Sequence, residues 1–566
     1  MTIAIERRPV PAYAAALAAA GVEPVLARLF ASRGIAAPEE IDDALARLPA
    51  YASMRGIGEA AERLVRAIDR RERILVVADY DADGATACAV ALRGLRAMGA
   101  VADFLVPNRF NDGYGLTPGI VAQVRERSPA LLVTVDNGIT SVEGVAAAAT
   151  AGIDVLVTDH HLPGERLPEP AIIVNPNQPG CAFPSKHLAG VGVMFYVLAA
   201  TRALLRERGG NASANLADLL DLVALGTVAD VVRLDHANRV LVAQGLKRLR
   251  AGRAQAGVEA LFRVAGRDPR SAIATDLGFV AGPRLNAAGR LADMTVGIRC
   301  LVTDDPAEAL ALAAELDRLN RERRSVEAGI VVEAQADLDE AATMARDDTF
   351  TLCLYRPNWH QGVVGIVASR IKDREHRPAI VFAPAGDGRL RGSGRSIAGF
   401  HLRDALALVD AREPGLIGPF GGHAVAAGLA IREADFGRFA EAFERVGREW
   451  LRPADLERVI ETDGALAPGE LDVSLAERLR EPVWGQGFAP PAFDDEFGVA
   501  ASRIVGGAHT KLLLERGGER FDAILFRSTA PLPGRIRAVF RPEVDTFRGS
   551  PALQLVLTHW EPAGSA

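Results

Sequence analysis

RILVVADYDADG, residues 73–84, opens as a strand and closes on three aspartates, Asp79, Asp81 and Asp83. A near-continuous apolar run of this length suits a strand covered on both faces, as in a parallel sheet. The same design recurs further along. LLVTV (131–135) runs into Asp136-Asn137-Gly138, IDVLVT (153–158) runs into Asp159-His160-His161, and AIIV (171–174) follows. Helix-like stretches over 85–98 and 142–151 separate these runs. Alternation of this kind predicts an α/β fold with a parallel sheet over residues 71–300. In such a sheet the carboxyl ends of the strands share one edge, and ligands bind there.

Three acidic strand ends on one edge would gather several carboxylates and an imidazole within a few ångströms. Like charges so placed raise each other's pKa, and a divalent cation removes that cost. Oxygen ligands with one or two imidazoles suit Mg²⁺ or Mn²⁺, and two ions about 3.5–4 Å apart are the usual apparatus of phosphoester hydrolysis. Taken singly, each aspartate has a plainer reading as a helix cap or turn residue. The DxDxDG pattern also resembles a calcium loop, but the closing Glu is missing and a strand precedes it. Recurrence on consecutive strands favours the metal site. No Ser or Cys elbow offers a side-chain nucleophile, so water is the expected attacking group.

The rest of the chain sets the frame. Its 566 residues are too many for one hydrophobic core. With 49% apolar and 24% charged residues the composition is globular, and 65 Lys+Arg against 72 Asp+Glu exclude a basic coat for nucleic acid. The four cysteines, Cys88, Cys181, Cys300 and Cys353, form no CxxC, so a reducing cytoplasm is expected. The start, MTIAIERRPVPAY, shows no apolar leader, and the apolar run 188–201 is too short to span a bilayer. Residues 1–70 read as a helical cap, 301–345 as a long charged helical connector, and 346–452 as a second, smaller α/β domain. Residues 453–566 read as a β-barrel, with an OB-fold as the best match. From 356 to 403 nine Lys/Arg face three Asp/Glu, a local excess of six positive charges. Within it, residues 389–396 read as a flexible Gly/Ser/Arg loop suited to phosphate.

DYDADG, VDNGIT, VTDHH and GTVADV, in this order, resemble the DHH phosphoesterase superfamily, which Asp159-His160-His161 would name. PNRFNDGYG (107–115), GPRLNAAGR (282–290), WHQGVVGIVA (359–368), RGSGRS (391–396) and Gly421-Gly422-His423 narrow the resemblance to the bacterial RecJ family. That resemblance runs from about residue 70 to the C-terminus. It implies a DHH domain, a DHHA1 domain and an OB-fold, and a metal-dependent 5′→3′ exonuclease on single-stranded DNA in recombination and repair.

The resemblance also implies roles. Asp81, Asp83, Asp136, His160 and Asp230 would hold two divalent cations, Mn²⁺ or Mg²⁺, with Asp136 bridging and Asp79 a ligand or close neighbour. Asp159 belongs to the same catalytic set, and His161 would touch the scissile phosphate. Asp230, in a helical run, could equally be a cap or a salt-bridge partner. Arg109, Ser393 and Arg395 would grip the 5′-phosphate. Tyr114, Arg284, Asn286, Arg290, Gly422 and His423 would line the strand's path, in a cleft too narrow for a duplex. His360 and His401 read as structural or as supports behind the site residues. Expected partners are single-stranded DNA with a 5′ end, a RecQ-type helicase and a single-strand-binding protein, with no membrane. A phosphodiesterase acting on short oligonucleotides or cyclic dinucleotides is the alternative enzyme, and a non-catalytic replication scaffold the alternative of another class.

Overall fold

The computed structural model describes residues 3–109, 112–343, 349–545 and 551–563. Two compact units result: Arg7–Asp317 with Glu461–Ala566, and Arg318–Ile460 with the first residues of the chain. A short strand β1 (Ile3–Arg7) pairs with β12 (Arg458–Thr462), a strand absent from the helical cap expected of residues 1–70.

In the larger unit, β2 (Arg73–Ala78), β3 (Val101–Leu105), β4 (Leu131–Val135), β5 (Asp154–Thr158) and β6 (Ile172–Val174) form a parallel sheet in the order β3-β2-β4-β5-β6. Leu75, Val77, Leu132, Val155 and Val157 pack into one core with Ile120, Val124 and Val145 from the covering helices. The helix Ala82–Ala97 covers the sheet and lies close to the helix Gly190–Glu207: a Cβ on Gly94 would stand 2.4 Å from Leu198. Register places Ala78, Val135, Thr158 and Val174 side by side, so the residues that follow them emerge on one edge.

The same unit holds a closed five-stranded barrel of β13 (Phe493–Val505), β14 (His509–Arg516), β15 (Glu519–Leu525), β16 (Arg535–Asp545) and β17 (Ala552–Pro562). Phe493, Phe497 and Phe540 fill it. The N-terminal helices bind the barrel's lead-in. Phe30 stacks on Trp484, which stacks on Phe488. The Arg33 guanidinium lies over Trp484 and pairs with buried Asp463 at 2.8 Å.

The smaller unit carries β7 (Leu352–Tyr355), β8 (Ala379–Gly386), β9 (Arg389–Arg395), β10 (Phe420–Gly422) and β11 (Ala426–Arg432), ordered β10-β11-β9-β8-β7. One 38-residue helix, Pro306–Thr343, runs from the larger unit into this one. There its Ile330 and Ala334 join a core with Val364, Val367 and Ile371. Its charged surface is what made it read as a connector. The segment expected to be a flexible loop, 389–396, is instead β9, a central strand. Its glycines face a crowded core, since a Cβ on Gly392 would meet Phe382 at 2.5 Å and one on Gly394 would meet Leu402 at 2.8 Å. The backbone N–H groups of β9 are engaged in the ladder, so side chains alone are left to meet phosphate. Among the described residues no helix is long and apolar enough to cross a membrane.

Candidate metal centre

The strand ends deliver what their position predicts. Asp79 follows β2, Asp136 follows β4 and Asp159 follows β5. Asp81 caps the helix Ala82–Ala97 by accepting the Gly84 N–H at 3.0 Å. Asp83, in the first turn of that helix, accepts the N–H groups of Gly190 (2.6 Å) and Val191 (2.9 Å) at the start of the helix Gly190–Glu207. The helix Leu220–Ala229 brings Asp230 to the same place from its C-terminal end.

His160 ties the group together, with Nε2 3.1 Å from Asp136 Oδ1 and 3.5 Å from Asp230 Oδ2. Three overlapping triads have ligand atoms within 4.8 Å of one another: Asp79, Asp81 and Asp136; Asp83, His160 and Asp230; Asp136, His160 and His161. Asp136 and His160 each belong to two of them. Close approach demands missing side chains around the cluster. A Cβ on Gly190 would stand 2.6 Å from Asp136 Cβ, and one on Gly226 would stand 2.9 Å from Asp83 Oδ1. Asp136 itself has φ 62°, a conformation that aspartate and asparagine tolerate and most residues resist.

Electrostatics shows the cost of this crowding. Burial, then the neighbouring charge of Asp81, pushes the Asp79 carboxyl up to about 8 and that of Asp83 up to about 7. Burial and the surrounding carboxylates hold Asp136 and Asp230 well above the usual range. Asp136 Oδ1 and Asp230 Oδ2 are buried and accept no hydrogen bond among the described residues. Buried carboxylate oxygens without donors, beside an imidazole nitrogen, form a donor set that fits a hard divalent cation.

Asp159 differs. Its Oδ2 accepts the Ile139 N–H at 2.9 Å, and its Oδ1 accepts the His160 N–H at 2.7 Å and meets His161 Nδ1 at 2.8 Å. Burial would raise its pKa, but the His161 hydrogen bond and the two imidazoles hold it below the usual range. For His161 burial works downward, yet Asp159 and the other carboxylates win and bring the imidazole to about 9. Asp159 thus orients and charges His161, and the ring's Nε2 is left for a ligand. Tyr114 stands half-exposed beside it, its hydroxyl 3.5 Å from His161 Nδ1 and its ring edge-on to both His161 and Tyr80. The Arg109 guanidinium lies 4.7 Å over the Tyr80 ring.

The segment 282–290, expected along the strand's path, packs against the acidic loop. Asn286 Oδ1 accepts the Ala82 N–H at 2.9 Å, inside the acidic loop. A Cβ on Gly289 would stand 1.8 Å from the Tyr80 carbonyl, so only glycine lets this helix lie against the loop. Arg284 is buried, donating to Asp317 at 2.9 Å and to the Val280 carbonyl at 2.6 Å. Arg290, at the same helix's end, is half-buried. The motif buttresses the acidic loop, a role that contacts some 200 positions apart conceal in the sequence.

In the smaller unit, Arg395 Nη1 donates to Ser393 Oγ at 3.3 Å and to the Gly394 carbonyl at 2.8 Å. A Cβ on Gly365, at the start of the helix Val364–Glu375, would lie 2.8 Å from Ser393 Oγ and 3.3 Å from Arg395 Nη2. A hydroxyl and a guanidinium therefore stand at a helix N-terminus, where anions are favoured. Gly422 has φ 143°, and exposed His423 donates its N–H to Ala426 at 2.7 Å. His401 caps the helix Leu402–Arg412, and His360 accepts the Gly362 N–H.

Comparison with known proteins follows the same lines. Residues 73–227 match the DHH family N-terminal domain, 348–449 the DHHA1 domain and 462–559 the RecJ OB domain. The single-stranded-DNA-specific exonuclease RecJ of Dickeya dadantii is 51% identical over 553 residues, covering 95% of this chain and 96% of that protein. The crystal structure of RecJ in complex with Mn²⁺ from Thermus thermophilus superposes with a TM-score of 0.83 at 30% identity, over all of this chain and 80% of that one. The Mg²⁺ complex from the same organism gives 0.77 at 28% identity, over all of this chain and 79% of that one.

Proposed function

Since the chain belongs to the RecJ family, we propose that it is a metal-dependent exonuclease that hydrolyses single-stranded DNA from the 5′ end. The observation that carries this reading is the shared cluster of Asp79, Asp81, Asp83, Asp136, His160 and Asp230 on one sheet edge. In this reading these residues would hold two ions, Mn²⁺ or Mg²⁺, with Asp136 shared between them. Bound there, such ions supply a nucleophilic water near neutral pH and offset the phosphate's charge.

The chain's own residues do the remainder. Asp159 keeps a proton on His161 Nδ1, so the imidazolium offers its Nε2–H to a phosphate oxygen. Asn286 and Gly289 hold the acidic loop against its own repulsion. Ser393 and Arg395 receive the terminal phosphate, which sets the direction of cutting, while Tyr114 and His423 contact the strand. The C-terminal region that ends in the barrel, with nine Lys/Arg against five acids over 501–550, adds salt-sensitive affinity for single strands. A cytoplasmic role in repair and recombination, beside a RecQ-type helicase and a single-strand-binding protein, completes the proposal.

Digestion of an end-labelled single-stranded oligonucleotide, with and without Mn²⁺, tests it. The expected result is metal-dependent shortening from the 5′ end, with duplex of the same sequence spared. Metal-independent cutting, or shortening from the 3′ end, contradicts it.

A further inference from the structure

The turn Leu277–Ala281 is π-helical, within an otherwise regular helical segment. A π turn inserts one residue and shifts the helical phase by about 100°, and such turns recur at functional sites. Here Leu277, Val280 and Ala281 keep their places in the core while Phe279 is turned outward, 73% exposed. A phenyl ring left in water forgoes the burial that core positions reward.

Its location suggests a use. A Cβ on Gly278 would lie 3.2 Å from Val228, and one on Gly282 3.1 Å from Ala229. The turn therefore lies flat on the last residues of the helix Leu220–Ala229, immediately before Asp230. Asp230 is within 3.5 Å of His160 in the acidic cluster. Val231, next in sequence, has φ 62° and is 63% exposed. A β-branched residue in that conformation is strained, and strain of this kind gathers at ligand sites. Two exposed apolar side chains thus stand on the elements that meet at Asp230.

We propose that Phe279, with Val231 on the adjoining element, is a stacking platform for a nucleobase of the substrate strand near the acidic cluster. The proposal rests on the exonuclease reading above. The carboxylates of the acidic cluster offer no apolar surface to a base, and the Tyr114 ring stands beside His161, away from the turn at Asp230 in sequence. An aromatic face stacks on every base alike, which suits an enzyme that must advance through any sequence.

The test compares wild type, Phe279→Ala and Phe279→Trp on intact oligonucleotides and on a set carrying one abasic site at each successive position. Phe279→Ala is expected to raise KM on intact strands about 5- to 150-fold with kcat little changed, and Phe279→Trp to restore it. At one position of the abasic set, wild type and Phe279→Ala should become equal. A wild-type KM for Phe279→Ala on intact strands, or an equal loss at every abasic position, overturns the platform while leaving the activity standing. Failure of the wild type to cut intact strands overturns the activity, and the platform with it.

Discussion

The side-chain oxygen of Asn286 accepts the backbone N–H of Ala82 at 2.9 Å, across 204 positions of sequence. Ala82 lies between two acidic residues of the centre and opens the helix that Asp81 caps. Asp81 already takes the Gly84 N–H, so the N–H of Ala82 depends on Asn286. Asn286→Ala should therefore weaken Mn²⁺ binding about 10- to 100-fold, the usual effect of losing a partner behind a metal ligand. Paramagnetic resonance titration of Mn²⁺ measures this directly. Unchanged metal affinity with weakened strand binding would make Asn286 a DNA contact instead.

The pH dependence of the metal-free protein should run against the usual behaviour of carboxylates. Asp79 and Asp83 rise from 3.8 to about 8 and about 7 on folding, so the folded chain binds more protons than the unfolded one between those limits. Stability from these groups is greatest below about pH 4 and is lost as pH rises through 7 and 8. His161, raised from 6.5 to about 9, loses stability in the same direction. Urea melts in chelator should show a midpoint that falls from about pH 5 to about pH 8.5, and Mn²⁺ should reverse the fall. A midpoint that rises over this range contradicts the proposed repulsion.

Asp136→Asn should stabilise the metal-free protein at pH 8 while abolishing hydrolysis. It removes a buried charge among like charges and keeps a residue that tolerates φ 62°. Asp136→Ala would confuse the comparison by adding backbone strain. A less stable Asp136→Asn protein in chelator would mean that the carboxylate is not under repulsion.

Arg395→Ala should lower kcat/KM about 10- to 150-fold on 5′-phosphorylated strands, from the loss of charge-assisted hydrogen bonds worth about 1.5–3 kcal/mol. Strands with a 5′-hydroxyl should lose far less. Equal losses on both substrates would make Arg395 a general backbone contact and remove the account of polarity.

Much of this was legible because strand ends are local. The runs 73–78, 131–135 and 154–158 announce themselves by continuous β-branched residues, and their terminal aspartates inherit a shared edge from the parallel sheet. The strand β9 was illegible because its glycines, read as loop, are there to make room for Phe382 and Leu402. The roles of Asn286, Arg284 and Arg33 were hidden for another reason: each acts on a partner distant in sequence, and no periodicity records such a pairing. The π turn that exposes Phe279 escapes because one inserted residue leaves an apolar pattern that still looks helical.

The acidic strand ends are proposed to form one centre for two cations that would share Asp136. Calorimetric titration of Mn²⁺ into the metal-free protein, wild type beside Asp136→Asn, tests it most directly. The account predicts two ions per chain for the wild type, with uptake of both impaired in the variant because each ion loses a ligand. Binding of a single ion by the wild type, or undiminished binding of two by Asp136→Asn, would contradict it.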